Sequence, residues 1–414
     1  MIIKILLYLL AFIVAIAIIG FIAYSLRGRL KLTDPDSGVL QARLEQNQIN
    51  PKALENLISA GKKTHSDAIV VYRNGELIGA WYSRGKARKI EAMSVTKSIV
   101  NLAIGLAITQ GYIKSLDTPM YTFFPEWQDG QKSKITLRHI LSHTSGLYTK
   151  GPAYDIYKTD DFVKYALKAD LVNEPGTNFF YNNRAVNLLA AVIEKTTTKR
   201  MDIYLGEELF KPMGINDFSW TLDKAGNPHS MSGLQIIAED LAKLGQLVLN
   251  KGSFKDKRLI DASWFDLSLS PGAKFTLDHG LLWWIRRDTV HIIDDARIGE
   301  LQEIGLSEET LNKLKTIKGE YHNGKDFLGA MKKAFGSSPG KIRTELASFG
   351  IMSPDRKEFG KINYYAADGY LGQYIYIDFD KQLVGVRMIG EHLLYNPMLD
   401  GFEDFADLMA DLVD

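Results

Sequence analysis

Ser94 and Lys97, in the run Glu91-Ala-Met-Ser-Val-Thr-Lys-Ser98, stand three residues apart at the head of a long apolar segment. On a helix that spacing puts both side chains on one face, one turn apart, with the hydroxyl within reach of the amine. The pair is a nucleophile beside a base. A serine hydroxyl attacks a carbonyl at neutral pH only if a neighbour takes its proton, and a lysine can do so when burial lowers its pKa. The helix expected over Ile99 to Gln110 is apolar enough to bury both. At a helix N-terminus the serine's own N–H also faces the place where an oxyanion would form. Read alone, S-x-x-K is equally a capping serine and a solvated lysine.

Two further elements follow it. Glu174-Pro175-Gly176 leads into Tyr181-Asn182-Asn183, a Tyr-x-Asn triplet, and Ala367-Asp368-Gly369-Tyr370-Leu371-Gly372-Gln373 lies between strand-like segments near the C-terminus. With the phrases Leu141-Ser-His143-Thr-Ser-Gly-Leu147, Pro212-Met-Gly214 and Ser232-Gly-Leu234, this ordered set resembles the serine hydrolases of the class C β-lactamase and penicillin-recognising superfamily. The likeness runs over about residues 55 to 412, and the motifs are most similar to the 6-aminohexanoate-dimer hydrolase and esterase branch.

The resemblance implies an acyl-enzyme on Ser94, with Lys97 and Tyr181 as base and proton relay. It implies that Asn183 orients the lysine and substrate, and that the N–H of Tyr370, after Gly369, is the second oxyanion donor. Tyr181 ionises only beside a cation, since a free phenol has a pKa near 10, and Lys97 is that cation. His143 reads as a structural residue closing a helix. Relatives carry Lys-Thr-Gly or His-x-Gly where this chain has Ala367-Asp368-Gly369. The carboxylate of Asp368 is expected to repel an anionic substrate, which favours small amides or esters. The alternatives are a β-lactamase or D-amino-acid peptidase with a cation from elsewhere, Lys341 or Arg343, and a catalytically silent anchored binding module.

Composition narrows the classes. The 414 residues carry 50 Lys and Arg against 49 Asp and Glu, a net charge of +1, so nothing in the charge balance points to nucleic acid. There is no cysteine, hence no disulfide or thiolate site, and the eight histidines form no H-E-x-x-H pattern. No metal or cofactor is expected. The partner expected is a small-molecule amide or ester.

Ile5 to Leu26 is free of charge and long enough, at about 1.5 Å per residue, to cross a hydrocarbon core of about 30 Å. Residues 1–31 are therefore expected to be a transmembrane anchor, with membrane contact through 5–26. The flank Arg27, Arg29 and Lys31 favours a cytoplasmic domain. The resemblance implies the reverse, a single-pass protein of the bacterial inner membrane whose domain faces the periplasm.

Asp34-Pro35-Asp36 marks residues 32–50 as a linker, and 51–414 as the hydrolase domain. A helix is expected near 51–63. Asn74-Gly75 joins strands 68–72 and 76–83 in a hairpin. Helical spacing prevails from Ser94 to about 250, including 186–195 and 234–249. Strands return at 362–366, 373–379 and 383–389 before a closing helix over about 398–412. Strands from both ends around a helical middle predict an α+β fold: an antiparallel sheet flanked by N- and C-terminal helices, with an inserted helical lobe. The resemblance implies the same β-lactamase/transpeptidase-like architecture. The charged stretch 285–350 reads as an inserted subdomain near the site mouth.

Overall fold

A computed structural model describes residues 37–149, 153–336, 340–349, 351, 353–392 and 395–413. Its centre is a seven-stranded antiparallel sheet. The strands are β1 (Ala68–Arg73), β2 (Glu76–Tyr82), β3 (Trp284–Ile293), β4 (Gly319–Tyr321), β5 (Arg356–Gly369), β6 (Gln373–Asp378) and β7 (Leu383–Met388), in the order β2-β1-β7-β6-β5-β3-β4. The expected hairpin forms with Asn74 at φ 52° and Gly75 at φ 80°, the left-handed pair a two-residue turn needs. β1 reads Ala-Ile-Val-Val because both of its faces are covered. Ile69 and Val71 pack with Leu57, Phe405 and Met409 on one side, while Ala68 and Val70 face the large core on the other. Each such side chain, fully buried, is worth about 1.5–3 kcal/mol.

The outer face carries α1 (Ser37–Gln46), α2 (Pro51–Lys63) and a short C-terminal helix, Phe405–Ala410. Pro51 fits the first turn of α2, and Asn50 caps it by accepting the N–H groups of Lys52 and Ala53. The inner face carries the helical lobe, whose axis is α3 (Val95–Thr109). Every residue of α3 from Val95 to Ala107 is buried. α4 (Leu188–Thr197) packs against it, and α5 (Ala238–Leu249) spans from the lobe to β1, β6 and β7. The α+β expectation therefore holds for sheet, lobe and flanking helices.

Several boundaries differ from the sequence reading. The expected linker is structured from residue 37 onward, with Leu44, Asn47 and Ile49 buried under α2. Leu40 and Leu44 lie four apart on one face of α1, a spacing that the Pro and Asp residues upstream obscured. The closing helix is interrupted at Gly401 and Phe402, the latter at φ 53°. Leu234–Ile236 is a strand rather than the start of a helix, because it pairs with Ile90–Glu91. Ile285–Ile293 belong to β3 of the main sheet. The chain between β3 and β5 adds the edge strand β4 and a separate small core that includes Leu301, Leu314 and Phe327. The expected anchor lies outside the described residues, and among those described no helix is long and apolar enough to cross a membrane.

Candidate active site

The turn before α3 is built to expose Ser94. Met93 adopts a left-handed φ of 48°, a conformation costing on the order of 1–3 kcal/mol in a non-glycine residue. Ser94 follows as the N-cap, but its side chain makes no capping hydrogen bond. Its Oγ is instead the acceptor for Lys97 Nζ at 2.8 Å. The same ammonium or amine donates to the carbonyl of Met231 at 2.7 Å. Lys97 is 2% exposed and, among the described residues, has no carboxylate partner. Burial without a counter-charge lowers its pKa to about 7. At neutral pH a large share of Lys97 is therefore a free amine, able to accept the proton of Ser94.

Tyr181 faces the pair, with Lys97 Nζ 5.1 Å from its ring centroid. Burial pushes its pKa up to about 12; the Ser94 hydroxyl draws it back in part and the charge of Asp368 adds to the rise. Of the two candidate bases the lysine is thus the one that is easily neutral, and the tyrosine keeps its proton. Ser94, Lys97, Tyr181, His143, His279, Trp284 and Asp368 share one small cavity of about 10 Å³, room for about one water molecule.

His143 occupies the expected structural place. Its Nδ1 accepts the N–H of Asn182 at 3.1 Å, which fixes the ring proton on Nε2. Its ring lies 4.6 Å from that of Tyr181 and 5.3 Å from His279. Burial first, then His279 and Lys97, hold its pKa well below the usual range, so it is a neutral wedge behind Tyr181.

Among the described residues Asn183 makes no hydrogen bond to Lys97. The lysine's hydrogen bonds go to Ser94 and Met231, and Asn183 contributes its backbone carbonyl to Asn187 Nδ2 at 3.0 Å. The orienting amide is one turn further on. Asn187, buried, accepts the N–H groups of Ser230 and Met231 with its side-chain oxygen at 3.1 and 3.3 Å, which sets the loop whose carbonyl holds Lys97. Pairing of Ile90–Glu91 with Leu234–Ile236 delivers that loop to the turn of Ser94.

The end of β5 runs beside the same turn. A Cβ on Gly369 would stand 2.8 Å from the carbonyl of Ala92, so only glycine lets the strand pass this closely. β5 then reverses into β6 through Tyr370, Leu371 at φ 68° and Gly372 at φ 88°. The side chain of Tyr370 is 67% exposed, so any part it has at the nucleophile belongs to its backbone. Fully buried Arg387 fixes this reversal by donating to the carbonyls of Leu371 and Gly372 at 3.0 and 2.7 Å.

Asp368 faces the cavity, but the unpaired charge expected there is absent. Arg286, reaching across from β3, forms an ion pair with it. Burial works most strongly against the arginine's charge, yet Asp368, joined by Tyr364 and Asp278, outweighs it and the pKa is raised. The carboxylate is thus neutralised, and the cation missing from the strand motif stands one strand away. Arg286 also lies over the ring of Trp284 at 5.0 Å, and that ring stacks on Tyr181 at 6.2 Å. The side chains of Lys341 and Arg343 lie outside the described residues. Ser98 and Asn101 anchor the approach to β3 by donating to the carbonyls of Leu282 and Leu281 at 2.6 and 2.8 Å. Met231, His279, Trp284 and Arg286 were not singled out in sequence. The aromatic-basic run Trp283-Trp284-Ile285-Arg286-Arg287 was the one visible signal for two of them, Trp284 and Arg286.

The beta-lactamase family model matches residues 54–389, well over half of the chain. The chain belongs to the beta-lactamase family. It is 26% identical over 232 residues to an N-acetylmuramyl-L-alanine amidase of Bacillus subtilis (strain 168), covering 42% of this chain and 52% of that protein. It is 24% identical over 233 residues to a 6-aminohexanoate-dimer hydrolase of Paenarthrobacter ureafaciens, covering 51% of this chain and 59% of the other. The chain thus spans about half the length of the curated relatives it matches. Among solved structures, a crystal structure titled as a putative beta-lactamase from Bacteroides dorei DSM 17855 superposes with a TM-score of 0.60 at 17% identity. It covers 88% of this chain and 99% of that one. At this identity the match establishes the beta-lactamase fold, within which the strand end at Gly369 and the head of α3 meet.

Proposed function

We propose that this beta-lactamase family member is a membrane-anchored serine hydrolase that cleaves small amide or ester bonds through an acyl-enzyme on Ser94. One observation carries the reading: a buried lysine amine with no carboxylate partner among the described residues, 2.8 Å from a serine hydroxyl that makes no capping hydrogen bond. Neutral Lys97 takes the Ser94 proton as Oγ attacks the carbonyl carbon. The backbone N–H groups of Ser94 and Tyr370 hold the oxyanion. Protonated Tyr181 passes a proton to the leaving amine or alcohol and is refilled from Lys97. Water then attacks the ester of Ser94, Lys97 accepts its proton and hands it to Ser94 Oγ as the Oγ–acyl bond breaks, and the acid leaves. Relatives named as an amidase, a 6-aminohexanoate-dimer hydrolase and an esterase support both bond types, and the narrow cavity favours small acyl groups.

A second reading, a β-lactamase or peptidase for cell-wall-related substrates, gains support from Arg286, a cation able to meet a substrate carboxylate if Asp368 releases it. The anchor is proposed from the uncharged run 5–26, with the domain facing the periplasm of the bacterial inner membrane. The test is a fluorophosphonate probe followed by a panel of p-nitrophenyl esters, 6-aminohexanoate dimer and nitrocefin. Labelling of Ser94 with ester or amide turnover supports the proposal. Failure to label an intact fold would favour the silent module. Release of the protein from membranes on deleting residues 1–31 tests the anchor separately.

A further inference from the structure

Three side chains far apart in the sequence meet behind the β5–β6 reversal. His65 follows the C-terminus of α2, while His392 and Asp400 come from the chain after β7. His65 Nδ1 lies 2.6 Å from Asp400 Oδ1, His392 Nε2 lies 3.5 Å from Asp400 Oδ2, and their ligand atoms all fall within 4.8 Å of one another. Two features set the cluster apart from an ordinary histidine-aspartate hydrogen bond. The Asp400 side chain is fully buried, yet among the described residues its only ion-pair partners are these two histidines. His392 Nε2, itself inaccessible to solvent, lies 3.5 Å from that carboxylate and among the described residues makes no hydrogen bond. A buried carboxylate paired among the described residues only with imidazoles, its Oδ2 otherwise accepting the N–H of Asn396 at 2.6 Å, and a loosely held imidazole nitrogen beside it are what a divalent cation satisfies together.

We infer that His65, His392 and Asp400 form a structural site for a zinc-class divalent ion, outside the catalytic cavity. Two imidazoles and a carboxylate suit zinc, which holds such donors at about 2.0–2.2 Å and hence about 3.4 Å from one another. Binding would replace the 2.6 Å contact of His65 with Asp400, so His65 must give up the proton on Nδ1. Its side chain is 47% exposed, which leaves the outer position open to water as fourth ligand. The site's meaning lies in what it ties together. Arg387 donates to the backbone carbonyls of Thr64 and Asp400 at 2.9 and 2.7 Å, as well as to Leu371 and Gly372. An ion joining residue 65 to residues 392 and 400 therefore braces the same reversal that carries Gly369 and Tyr370.

The experiment uses the full-length chain, in detergent and stripped with a chelator, titrated with Zn²⁺ by calorimetry and with Co²⁺ by visible absorption. Expected are one Zn²⁺ per chain, a raised Tm in its presence, and Co²⁺ d–d bands that saturate at one equivalent. His65→Ala and His392→Ala should each weaken binding at least about tenfold, while His322→Ala, an exposed histidine elsewhere, should bind as the parent does. No stoichiometric binding by the parent, or affinity unchanged in both His65→Ala and His392→Ala, overturns the site. Should the histidine variants not fold, the Co²⁺ spectrum of the parent decides: absence of bands at one equivalent overturns the site.

Discussion

Asn187 holds the N–H of Met231 at 3.3 Å while the carbonyl of Met231 holds Lys97 Nζ at 2.7 Å, so a buried amide sets the position of the base through one residue of backbone. Asn187→Ala should lower kcat about 10²-fold, the scale of a misplacement of about 1 Å, with a much smaller change in KM. A loosened loop also admits water to Lys97, so the acid limb of the pH profile should move upward from about 7. A variant that loses stability but keeps its pH profile would make Asn187 merely structural.

The pH dependence of the parent follows from the same lysine. Acylation needs the neutral amine, so kcat/KM should fall about tenfold per unit below a midpoint near 7 and level off above it. Tyr181, held at about 12, adds no descending limb before strongly alkaline pH. Lys97→Arg should be inactive throughout, because a guanidinium cannot be deprotonated in this range. A profile flat down to pH 5 would remove Lys97 as the base.

Ser94→Ala should abolish probe labelling and turnover while leaving the circular dichroism spectrum unchanged, since only the hydroxyl's contacts with Lys97 and Tyr181 are lost. Lys97→Ala and Tyr181→Phe should each cost several orders of magnitude in acylation, and their combination little more than either alone. Losses that multiplied would show that the two groups do not share one proton path.

Asp368 and Arg286 are expected to set charge preference together. Asp368→Ala frees the arginine, and the ratio of kcat/KM for nitrocefin over p-nitrophenyl acetate should rise. The two side chains are 29% and 37% exposed, so the full Coulomb term of about 4 kcal/mol is screened to about 1 kcal/mol, a five- to tenfold change. Adding Arg286→Ala should return the ratio to its starting value. An unchanged ratio in the single variant means that the substrate does not reach Arg286.

The meeting of Ser94, Lys97 and Tyr181 was legible because Ser94 and Lys97 depend on one helix turn, and Tyr181 on a motif next to a Pro-Gly turn. Arg286 was not, because its approach to Asp368 comes from the pairing of β3 with β5 across a long excursion, and strand pairing over such a distance leaves no local period. Met231 acts through a backbone carbonyl, which every residue type possesses. Asn183 was singled out because the Tyr-x-Asn triplet fixes a spacing, whereas Asn187, buried one turn further on, belongs to no motif that spacing could show. In the fold, strongly periodic elements such as α2 and β7 came within a residue or two of their bounds. The break at Gly401–Phe402 did not, since a left-handed phenylalanine has no sequence signature.

The sheet order has a bearing on when such an enzyme becomes active. β1 pairs with β7, joining residues 68–73 to 383–388, so the middle of the sheet is closed by the two ends of the domain. The nucleophile is synthesised early, but the strand beside it waits for partners made last. Contacts of this sequence separation fold slowly and cannot form on a nascent chain still missing its C-terminal segment. Activity should thus appear only once the chain has been made through residue 388, and truncations before about residue 390 should yield aggregation-prone chains with an open strand edge rather than weaker enzymes.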